Sequence, residues 1–539
     1  MAEFCNTIPD IAAALLGWLL LAWISYLIYE SQGAPKSPSP WLAYLRLFVH
    51  MWPALLSFVA IRASEYSMDP TLIWFITLLT LRYNKTALGM IFWFRYRITL
   101  PSPAFKLTGA NCTVIVATVG PDENTAFAEA VSSILINRPT RLVFSTNTEK
   151  AKLAVERKLP SILNALQVGN SAYQIEHKLG GITTTTDIVV TNTGVSNKRQ
   201  QTVNGFNNVD TEIIIMADDT AIWTPTFISA TLPAFEDEKV ALVGTKKWVK
   251  HVPRVSDPTK SWIANMWNNY WTGFWNAMGG LYLIRHNFEI RSSNAADGGV
   301  FCVSGRTSLI RASIVRDVEF EREFLAEYIT IPFINLTYGP LAADDDNFIT
   351  RWVLNRGWDI KIQYSDEAMI TTVLGKWPKF TQQCQRWSRT TFRQNTVALF
   401  IDRTIWWKWP VTVWTTYFPW MWNAALIWDP LMVFVLTRTN LYQTSSHPGT
   451  LMGNFVGFIY ATKLVKTAPW FWKHPSDFFL YFFPIPAYLV FVYYHSVLKV
   501  YTFCTLGDTE WSGRKLSGPE IPPTQVPGTV KPEIGGDEV

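Results

Sequence analysis

The stretch FTQQCQRWSRTTFR, at Phe380–Arg393, lies between two kinds of sequence. Before it, short runs rich in β-branched residues alternate with segments of helical spacing, and after it the chain becomes strongly apolar. Within the stretch, Gln383, Arg386 and Trp387 form a Q-x-x-R-W motif. These side chains suit gripping a pyrophosphate, stacking on a ring and hydrogen-bonding a sugar. Taken alone, the stretch is more typical of an amphipathic helix ending at a membrane, so its function depends on the sequence upstream.

Composition favours a protein that is partly in contact with lipid. Of 539 residues, 17% are charged and 15% are aromatic, with 26 tryptophans. Low charge with many tryptophans is typical of chains that have aromatic side chains at both headgroup levels of a bilayer. The net charge of +5 is too small to indicate a nucleic-acid partner. The cysteines are scattered without a C-x-x-C pair, so neither a disulfide framework nor a zinc site is indicated.

The N-terminal region contains candidate membrane segments. Ile11–Tyr29 has no charged residue, and at about 1.5 Å per residue it is long enough for a hydrocarbon core of ~30 Å. A cleaved signal peptide is disfavoured because no Lys or Arg precedes it. Trp41–Ile61 is a second candidate. Around Arg82 and Lys85 we expect a helix at the interface or packed on protein, with both charges snorkelling to water. The number of crossings before residue 100 stays open.

From Pro101 the sequence is typical of an α/β domain. Strands that alternate with helices imply a mostly parallel sheet with both faces covered, whose ligands gather beyond the carboxyl ends of the strands. The expected strands are Cys112–Thr118, Arg141–Ser145, Asp187–Thr191, Glu212–Met216 and Val240–Gly244, and the expected helices are Glu123–Ile136 and Thr148–Lys158.

Three apolar stretches follow the α/β region: Val411–Leu436, which Asp429-Pro430 interrupts, Gly449–Thr462 and Phe478–Leu498. We expect membrane helices here, with the last stretch interfacial or broken because it contains two prolines. The tail, Leu516–Val539, is rich in Pro and Gly, and we expect it to be disordered.

An acidic pair follows one of the expected strands. The sequence EIIIMADDT, at Glu212–Thr220, delivers Asp218 and Asp219 to a loop at a strand end. Adjacent carboxylates there suit a hard divalent cation that bridges nucleotide phosphates. The alternative is an ordinary solvated Asp-Asp turn.

A second acidic cluster precedes an expected helix, Asn347–Asn355. Asp344, Asp345 and Asp346 stand directly before it. Carboxylates are favoured at a helix N-terminus, so capping alone explains one of the three. Three exceed that need, and a carboxylate there suits the deprotonation of an acceptor hydroxyl.

Two further segments carry weaker signals. In SNKRQQTVN, at Ser196–Asn204, Lys198 and Arg199 suit phosphate or uracil, although an ordinary basic loop has the same composition. In FCVSGRTSLIR, at Phe301–Arg311, we expect a strand, then Ser-Gly, then a helix that ends in Arg, forming one wall of an acceptor site.

Taken in order, these motifs resemble those of the processive, inverting family 2 glycosyltransferases, the hyaluronan, chitin and cellulose synthases. The resemblance covers roughly residues 101–515 and is strongest to the fungal type 3 (capsular-type) polysaccharide synthases. FTQQCQRWSRTTFR is close to the hyaluronan synthase form of the signature. Trp511-Ser512-Gly513-Arg514 resembles the Trp-Gly-Thr-Arg motif of that group.

The resemblance implies a GT-A-like α/β domain on the cytosolic side, inserted between helical transmembrane regions. The implied parts are 1–100 (transmembrane and interfacial helices), 101–396 (GT-A domain), 397–507 (channel-forming helices) and 508–539 (Trp-Ser-Gly-Arg motif and tail). The implied protein is a multi-pass membrane enzyme, in the plasma membrane rather than the Golgi. It would transfer sugar from a UDP-sugar to a growing β-linked polysaccharide, with inversion and with Mg²⁺ or Mn²⁺, and couple synthesis to export.

The resemblance also implies residue roles. Asp346 takes the position of the catalytic base, with Asp345 beside it, and Asp344→Asn is expected to have only a mild effect on synthesis. Metal ligation falls to Asp219 with Asp218. Nucleotide-sugar contacts are implied for Thr118, Asp122, Glu123, Lys198, Arg199, Asp218, Gln383, Arg386, Trp387, Trp511 and Arg514. Acceptor contacts are implied for Ser304, Gly305, Arg306 and Trp387.

The sequence departs from the family pattern at two positions of the domain. Phe144-Ser145-Thr146-Asn147 replaces the Asp expected after the second strand, and Ala217 stands where the first Asp of D-x-D belongs. Two other functions therefore stay open. One is a non-processive enzyme that makes a glycolipid of the ceramide or dolichol type, and the other is a catalytically dead relative that aids export.

Overall fold

The computed structural model describes residues 40–331, 336–341 and 344–509. Three predicted features lie outside these residues: the apolar segment Ile11–Tyr29, the motif at Trp511–Arg514 and the tail from Leu516.

The α/β region contains a nine-stranded sheet with the order β3-β2-β1-β4-β7-β6-β11-β5, in which β10 also pairs with β6. A separate hairpin consists of β8 and β9. The strands are β1 Cys112–Thr118, β2 Arg141–Thr146, β3 Asp187–Asn192, β4 Ile213–Asp218, β5 Ala221–Trp223, β6 Val240–Val249, β7 Thr307–Arg311, β8 Ile329–Ile331, β9 Leu336–Tyr338, β10 Asp359–Gln363 and β11 Met369–Thr372.

The first half of the sheet, β3-β2-β1-β4, is parallel, as predicted, and its four predicted strands are confirmed to within two residues. The fifth predicted strand is confirmed as β6 in the second half of the sheet, where it continues past the predicted end at Gly244 to Val249. The prediction for Phe301–Arg311 is wrong. Residues 301–306 form an irregular segment and a turn, and the helix expected after Ser-Gly is strand β7. This strand runs antiparallel between β4 and β6, where Leu309 and Ile310 are fully buried. A central strand that is buried on both faces is uniformly apolar, so periodicity does not separate it from a short helix.

Helices cover both faces of the sheet. The helices that precede β1 and those that follow residue 397 pack together, and we call them the helical region. The first eleven are α1 Pro40–Tyr66, α2 Pro70–Arg95, α3 Phe127–Ile136, α4 Glu149–Val168, α5 Ala172–His177, α6 Lys198–Phe206, α7 Phe227–Thr231, α8 Trp262–Asp297, α9 Ala312–Val315, α10 Val318–Leu325 and α11 Asp345–Asn355. The remaining ones are α12 Lys379–Val397, α13 Thr404–Lys408, α14 Pro410–Thr412, α15 Phe418–Trp422, α16 Ala425–Thr437, α17 Asn440–Gln443, α18 Pro448–Val465, α19 Ala468–Lys473, α20 Pro475–Tyr481 and α21 Ala487–Cys504. Short 3₁₀ turns lie at Gly109–Asn111 and Leu232–Glu236, and π-helical segments at Ala398–Asp402 and Val413–Tyr417.

Strand β1 shows how the sheet acquires two hydrophobic faces. Side chains alternate along a strand, so Val114 and Val116 face one side while Ile115 faces the other. Val114 and Val116 pack in a core with α3 and α4, and Ile115 packs in a core that includes α11. The burial of both faces explains why the strand is a continuous apolar run.

The longest helix, α8, was not predicted from the sequence. Ser261 caps its start by accepting a hydrogen bond from the amide of Ala264, and Gly298 ends it in a left-handed conformation at φ 77°. The helix packs against α2 and strand β6 and thereby connects the sheet with the helical region. Its mixture of aromatic, small and charged residues lacks a clear amphipathic stripe, which is why the sequence pattern did not reveal it.

Within the described residues, no single helix combines the length and apolar composition needed to cross a bilayer. One pair, Pro410–Trp422 with Ala425–Thr437, meets that requirement together but is bent by 89°. The predicted interruption at Asp429-Pro430 is wrong, since both residues lie inside α16 and the bend lies before Ala425. The predicted break in the last stretch is confirmed between α20 and α21.

The prediction that Arg82 reaches toward water is wrong. Arg82 lies in the middle of the continuous helix α2 and is only 9% exposed. It forms an ion pair with Asp429 at 3.2 Å and hydrogen-bonds Asn423. A partner that is distant in sequence therefore holds the guanidinium inside the helical region.

Candidate active site

The acidic pair lies at the carboxyl edge of the parallel strands. β1 and β4 are parallel neighbours, with Ala117 opposite Asp218, so the residues that follow each strand meet. The hydroxyl of Thr118 donates to Oδ2 of Asp219 at 2.6 Å, and Nδ2 of Asn124 donates to the backbone carbonyl of Asp219 at 2.7 Å. These bonds fix the Asp218-Asp219 loop at the edge where α/β sheets bind ligands.

Lys198 connects the two acidic clusters. It begins helix α6, and its Nζ lies 3.3 Å from Oδ1 of Asp218 and 3.1 Å from Oδ2 of Asp345. Burial alone lowers the pKa of Lys198, but the carboxylates of Asp218 and Asp345 outweigh burial and raise it. The lysine is therefore charged and holds the strand end and the first turn of α11 together.

Asp345 and Asp346 occupy the first turn of α11 in different environments. Oδ2 of Asp346 accepts a hydrogen bond from the amide of Gly305 at 3.1 Å, and Oδ1 accepts one from the amide of Asn347 at 2.9 Å. Burial and the adjacent carboxylate of Asp345 raise the pKa of Asp346. Burial acts in the same direction on Asp345, but the Lys198 ammonium prevails and lowers the pKa of Asp345. Paired carboxylates whose pKa values are pushed apart are suited to different roles, and Asp346 is the more basic of the two.

Asp344 does not belong to this group. It has a left-handed backbone at φ 63° and is 2% exposed. Its carboxylate pairs with Nη2 of Arg393 at 2.9 Å and accepts a hydrogen bond from Thr390. The first aspartate of the triplet therefore fastens α11 to α12, and the mild effect expected of Asp344→Asn on synthesis stays a prediction.

The Q-x-x-R-W motif lies on α12 and faces the same edge. Gln383, Arg386 and Trp387 share one side of the helix because they are three and four residues apart. The guanidinium of Arg306 lies 5.1 Å from the ring centroid of Trp387, and the ring of Tyr282 lies 5.2 Å from it. Nε of Arg386 is buried and has no hydrogen-bond partner among the described residues. A buried donor without a partner is costly, and a bound anion would satisfy it.

The turn at Ser304, Gly305 and Arg306 closes the site between the strands and α12. The amide of Asp218 donates to the carbonyl of Arg306 at 2.8 Å, and the hydroxyl of Ser304 accepts from the amide of Arg306 at 3.4 Å. A Cβ placed on Gly305 would lie 3.3 Å from Asp346 and 3.4 Å from Nζ of Lys198, so a larger residue would press on both side chains.

Arg199 does not face this site, and the prediction that it contacts a nucleotide is wrong. Its side chain is fully buried, pairs with Glu327 at 2.5 Å and donates to the carbonyl of Phe324 at 2.7 Å. Neighbouring positions on a helix point about 100° apart, so when Lys198 faces the edge Arg199 turns into the core.

Two predicted nucleotide contacts lie on the rim. Asp122 and Glu123 are exposed, and Asp122 pairs with Arg157 at 2.7 Å and Lys158 at 3.6 Å. The hydrogen bond from Arg157 lowers the pKa of Asp122. The structure does not bring these two residues into the cluster that Lys198 forms with Asp218 and Asp345, which we call the Lys198 cluster. Trp511 and Arg514 lie outside the described residues.

Two residues near the site had not been predicted. Lys247 is 2% exposed on β6, and burial, reinforced by the charge of Arg306, lowers its pKa to about 7. Cys302 lies beside Asp346, and burial followed by that carboxylate raises the pKa of its thiol. A lysine inside a strand that is otherwise buried was the available signal for Lys247. Cys302 gave no signal in the sequence.

The described residues contain no group of three or more His, Cys, Asp or Glu side chains that would hold a metal ion. Asp218 and Asp219 supply carboxylate oxygens at the strand end, but Asp218 is also engaged by Lys198. This donor set fits a hard cation whose remaining positions come from water and phosphate oxygens, as Mg²⁺ sites commonly have.

Comparison with known proteins assigns the chain to a family. Residues 112–390 match the family described as Glycosyltransferase like family 2. The chain belongs to this family. It is similar to a type 2 glycosyltransferase of Gibberella zeae, with 31% identity over 423 residues that cover 77% of this chain and 70% of the relative. A type 2 glycosyltransferase of Pyricularia oryzae is 29% identical over 430 residues, 79% of this chain and 78% of the relative.

The chain is also similar to a bacterial hyaluronan synthase and to a solved glycosyltransferase structure, both at lower sequence identity. A hyaluronan synthase of Streptococcus pyogenes is 22% identical over 229 residues, which cover 42% of this chain and 48% of that protein. Among solved structures, a mannosyltransferase of Pyrobaculum calidifontis in complex with GDP-Man and Mn²⁺ matches with a TM-score of 0.34 and 14% identity, covering 72% of this chain and 97% of that one. The family match together with the sheet topology identifies the α/β region as a GT-A-like glycosyltransferase fold. The protein is a family 2 glycosyltransferase.

Proposed function

We propose that this glycosyltransferase transfers a sugar from a UDP-sugar to a hydroxyl of a growing β-linked polysaccharide, with inversion at the anomeric carbon. The observation that carries the proposal is the position of Asp346. Its carboxylate is held by the amides of Gly305 and Asn347 at the edge of the sheet, beside the charged Lys198 cluster. This is the placement that a general base acting on an acceptor requires.

In the proposed reaction, Asp346 accepts the proton of the acceptor hydroxyl. The oxygen then attacks the anomeric carbon from the face opposite UDP, and the bond between that carbon and the β-phosphate oxygen breaks. UDP leaves with the bonding electron pair. The unsatisfied Nε of Arg386 is the donor best suited to stabilise the charge that develops on the leaving diphosphate.

A divalent cation, Mg²⁺ or Mn²⁺, would be held by Asp218 and Asp219 together with diphosphate oxygens. When bound, the cation would neutralise charge on the leaving group. Because the protein supplies only two carboxylates here, we expect metal and nucleotide to bind cooperatively. The rings of Trp387 and Tyr282 would provide a stacking surface for the acceptor sugar.

We also propose that the helical region is in contact with lipid, in the plasma membrane, and that the α/β domain is on the cytosolic side where nucleotide sugars are supplied. The support is the outer face of α21. Val490, Tyr494, Val497 and Tyr501 recur at helical spacing, and all are at least 39% exposed. A continuous exposed apolar stripe of this kind is typical of a surface that meets a membrane or another protein.

The proposed activity is tested by measuring UDP release from a panel of UDP-sugars by the detergent-purified full chain, followed by enzymatic digestion and sizing of any product. A long product that a β-glycosidase degrades would support the proposal. A product limited to one sugar on a lipid would instead identify a glycolipid-forming enzyme. No UDP release with any donor, from protein that still binds UDP, would identify a catalytically dead relative.

A further inference from the structure

A large cavity lies in the helical region next to the acceptor side of the candidate site. It encloses about 1410 Å³, open solvent at its mouth included, between α2, α8, α12 and the C-terminal helices. Tyr282 lines it and also faces Trp387, so the cavity is continuous with the proposed stacking surface. Six cationic side chains line the cavity: Arg82, Lys85, Arg285, Lys463, Lys466 and Lys499.

Carboxylates compensate only part of this charge. Asp429 pairs with Arg82 at 3.2 Å and with Lys463 at 2.7 Å. Glu289, which also lines the cavity, pairs with Lys466 at 2.8 Å.

Three cations are left without a carboxylate at ion-pair distance among the described residues: Lys85, Arg285 and Lys499. Lys499 donates to the carbonyl of Trp420 at 2.7 Å, and the hydroxyl of Tyr488 lies beside Arg285. Lys85 has no hydrogen bond or ion pair in the described part of the chain, and the charged groups around it include Lys466 and Glu289.

The cavity also contains unsatisfied neutral donors and acceptors. Nδ1 of His286 and Nε2 of His495 are buried without a hydrogen-bond partner in the part of the chain that the structure describes. Buried cations without partners are unfavourable, and a ligand that supplies negative charge and hydrogen-bonding oxygens removes that cost. Threonine hydroxyls at Thr391 and Thr415 line the same space and suit sugar hydroxyl groups.

We propose that this cavity is a binding site for an anionic group, a carboxylate or a phosphate, carried by the acceptor, and that Lys85, Arg285 and Lys499 hold it. These three residues come from α2, α8 and α21, so the site forms only when the three helices pack together. The carboxylate of an acidic saccharide and the phosphate of a lipid-linked saccharide share this chemistry. The inference rests on the proposed function only in calling the ligand an acceptor, since binding itself needs no transfer.

The test measures binding to the detergent-purified full chain without any UDP-sugar, so its outcome does not depend on the proposed reaction. Trp420 is a suitable reporter because Nζ of Lys499 lies 4.3 Å from its ring centroid. Tryptophan fluorescence is titrated with a glucuronate oligosaccharide, with dodecyl phosphate and with a neutral oligosaccharide of the same length. Saturable binding of either anionic probe, at least about tenfold tighter than the neutral one, is expected because charge-assisted hydrogen bonds are stronger than neutral ones.

Substitutions at Lys85 and Arg285 test whether the anionic probe binds in this cavity. Lys85→Gln and Arg285→Gln should each weaken binding of the anionic probe about tenfold or more, because each removes one such bond. Lys85→Arg keeps the charge and should bind like wild type, which separates loss of charge from loss of fold. Lys150→Gln removes an exposed charge on α4 and is the matched control.

Preference for the oligosaccharide would identify the ligand as an acidic saccharide, and preference for dodecyl phosphate would identify it as a lipid phosphate. Equal binding of the neutral oligosaccharide, or Lys85→Gln and Arg285→Gln proteins that bind like wild type, would overturn the proposal.

Discussion

The edge of the sheet and the helical cavity hold charge in opposite ways. At the edge, one lysine, Lys198, lies between Asp218 and Asp345 and is charged because of both. In the cavity, cations exceed carboxylates, and Lys85 has no ion-pair partner in the described part of the chain. The edge is therefore ordered before any ligand arrives, whereas the cavity requires a ligand to balance its charge. The first arrangement suits chemistry that needs fixed positions, and the second suits binding.

The largest effect on the rate of sugar transfer is expected at Asp346, the proposed general base at the edge of the sheet. Asp346→Asn removes the proposed base, and such a loss typically lowers the rate by about 10²–10⁴. UDP affinity should stay near that of wild type, because the proposed diphosphate contacts, Arg386 and the metal, are unchanged in this variant. Initial rates of sugar transfer and a UDP titration measure the two quantities. If this variant is as fast as wild type while Asp345→Asn is inactive, the base is Asp345 and the comparison of their environments is wrong.

The next largest effect is a loss of stability, which should distinguish Asp344 from Asp346. Asp344→Asn leaves Arg393 buried without its counter-charge, and breaking a buried pair costs about 3–5 kcal/mol. Chemical denaturation should show this loss of unfolding free energy, while Asp346→Asn should not. Asp344→Asn protein with wild-type stability would show that Asp344 does not fasten α11 to α12.

A smaller effect tests the metal at the strand end. Asp218→Asn removes one of the two proposed carboxylate ligands, so the Mg²⁺ or Mn²⁺ concentration for half-maximal transfer should rise about tenfold, which corresponds to ~1.4 kcal/mol. Asp122→Asn is the matched control, because Asp122 is exposed and pairs with Arg157 on the rim. Equal metal requirements in the two variants would show that Asp218 is not a metal ligand. Full turnover of the wild type in excess EDTA would show that transfer needs no metal.

The smallest effect is a shift in pH dependence. The base acts only when deprotonated, so transfer should slow as the pH falls through the raised pKa of Asp346. In Asp345→Asn the neighbouring negative charge is lost and the pKa of Asp346 falls, so the acidic limb of the rate profile should move to lower pH by about one unit. A limb that stays in place or moves to higher pH would show that Asp345 does not control the base.

The two regions also differ in how much their sequence reveals. Strands β1, β2 and β4 could be predicted because buried parallel strands are continuous apolar runs, and this placed Asp218 and Asp219 correctly at an edge. The roles of Arg82 and Asp344 could not be predicted, because their partners Asp429 and Arg393 are distant in the chain. Arg199 was misassigned because adjacent basic residues on a helix face different directions. Periodicity reports which face is buried, but it does not report which buried charges pair.

If the site at the edge of the sheet transfers sugar from a UDP-sugar, as we propose, UDP release measures that transfer most directly. Detergent-purified wild-type protein is incubated with Mg²⁺ or Mn²⁺ and with each member of a panel of UDP-sugars, beside Asp346→Asn protein under the same conditions. We expect UDP release by the wild type with at least one donor, and a rate lower by about 10²–10⁴ in Asp346→Asn. Wild-type protein that binds UDP but releases none from any donor, or equal release by both proteins, would contradict the proposal.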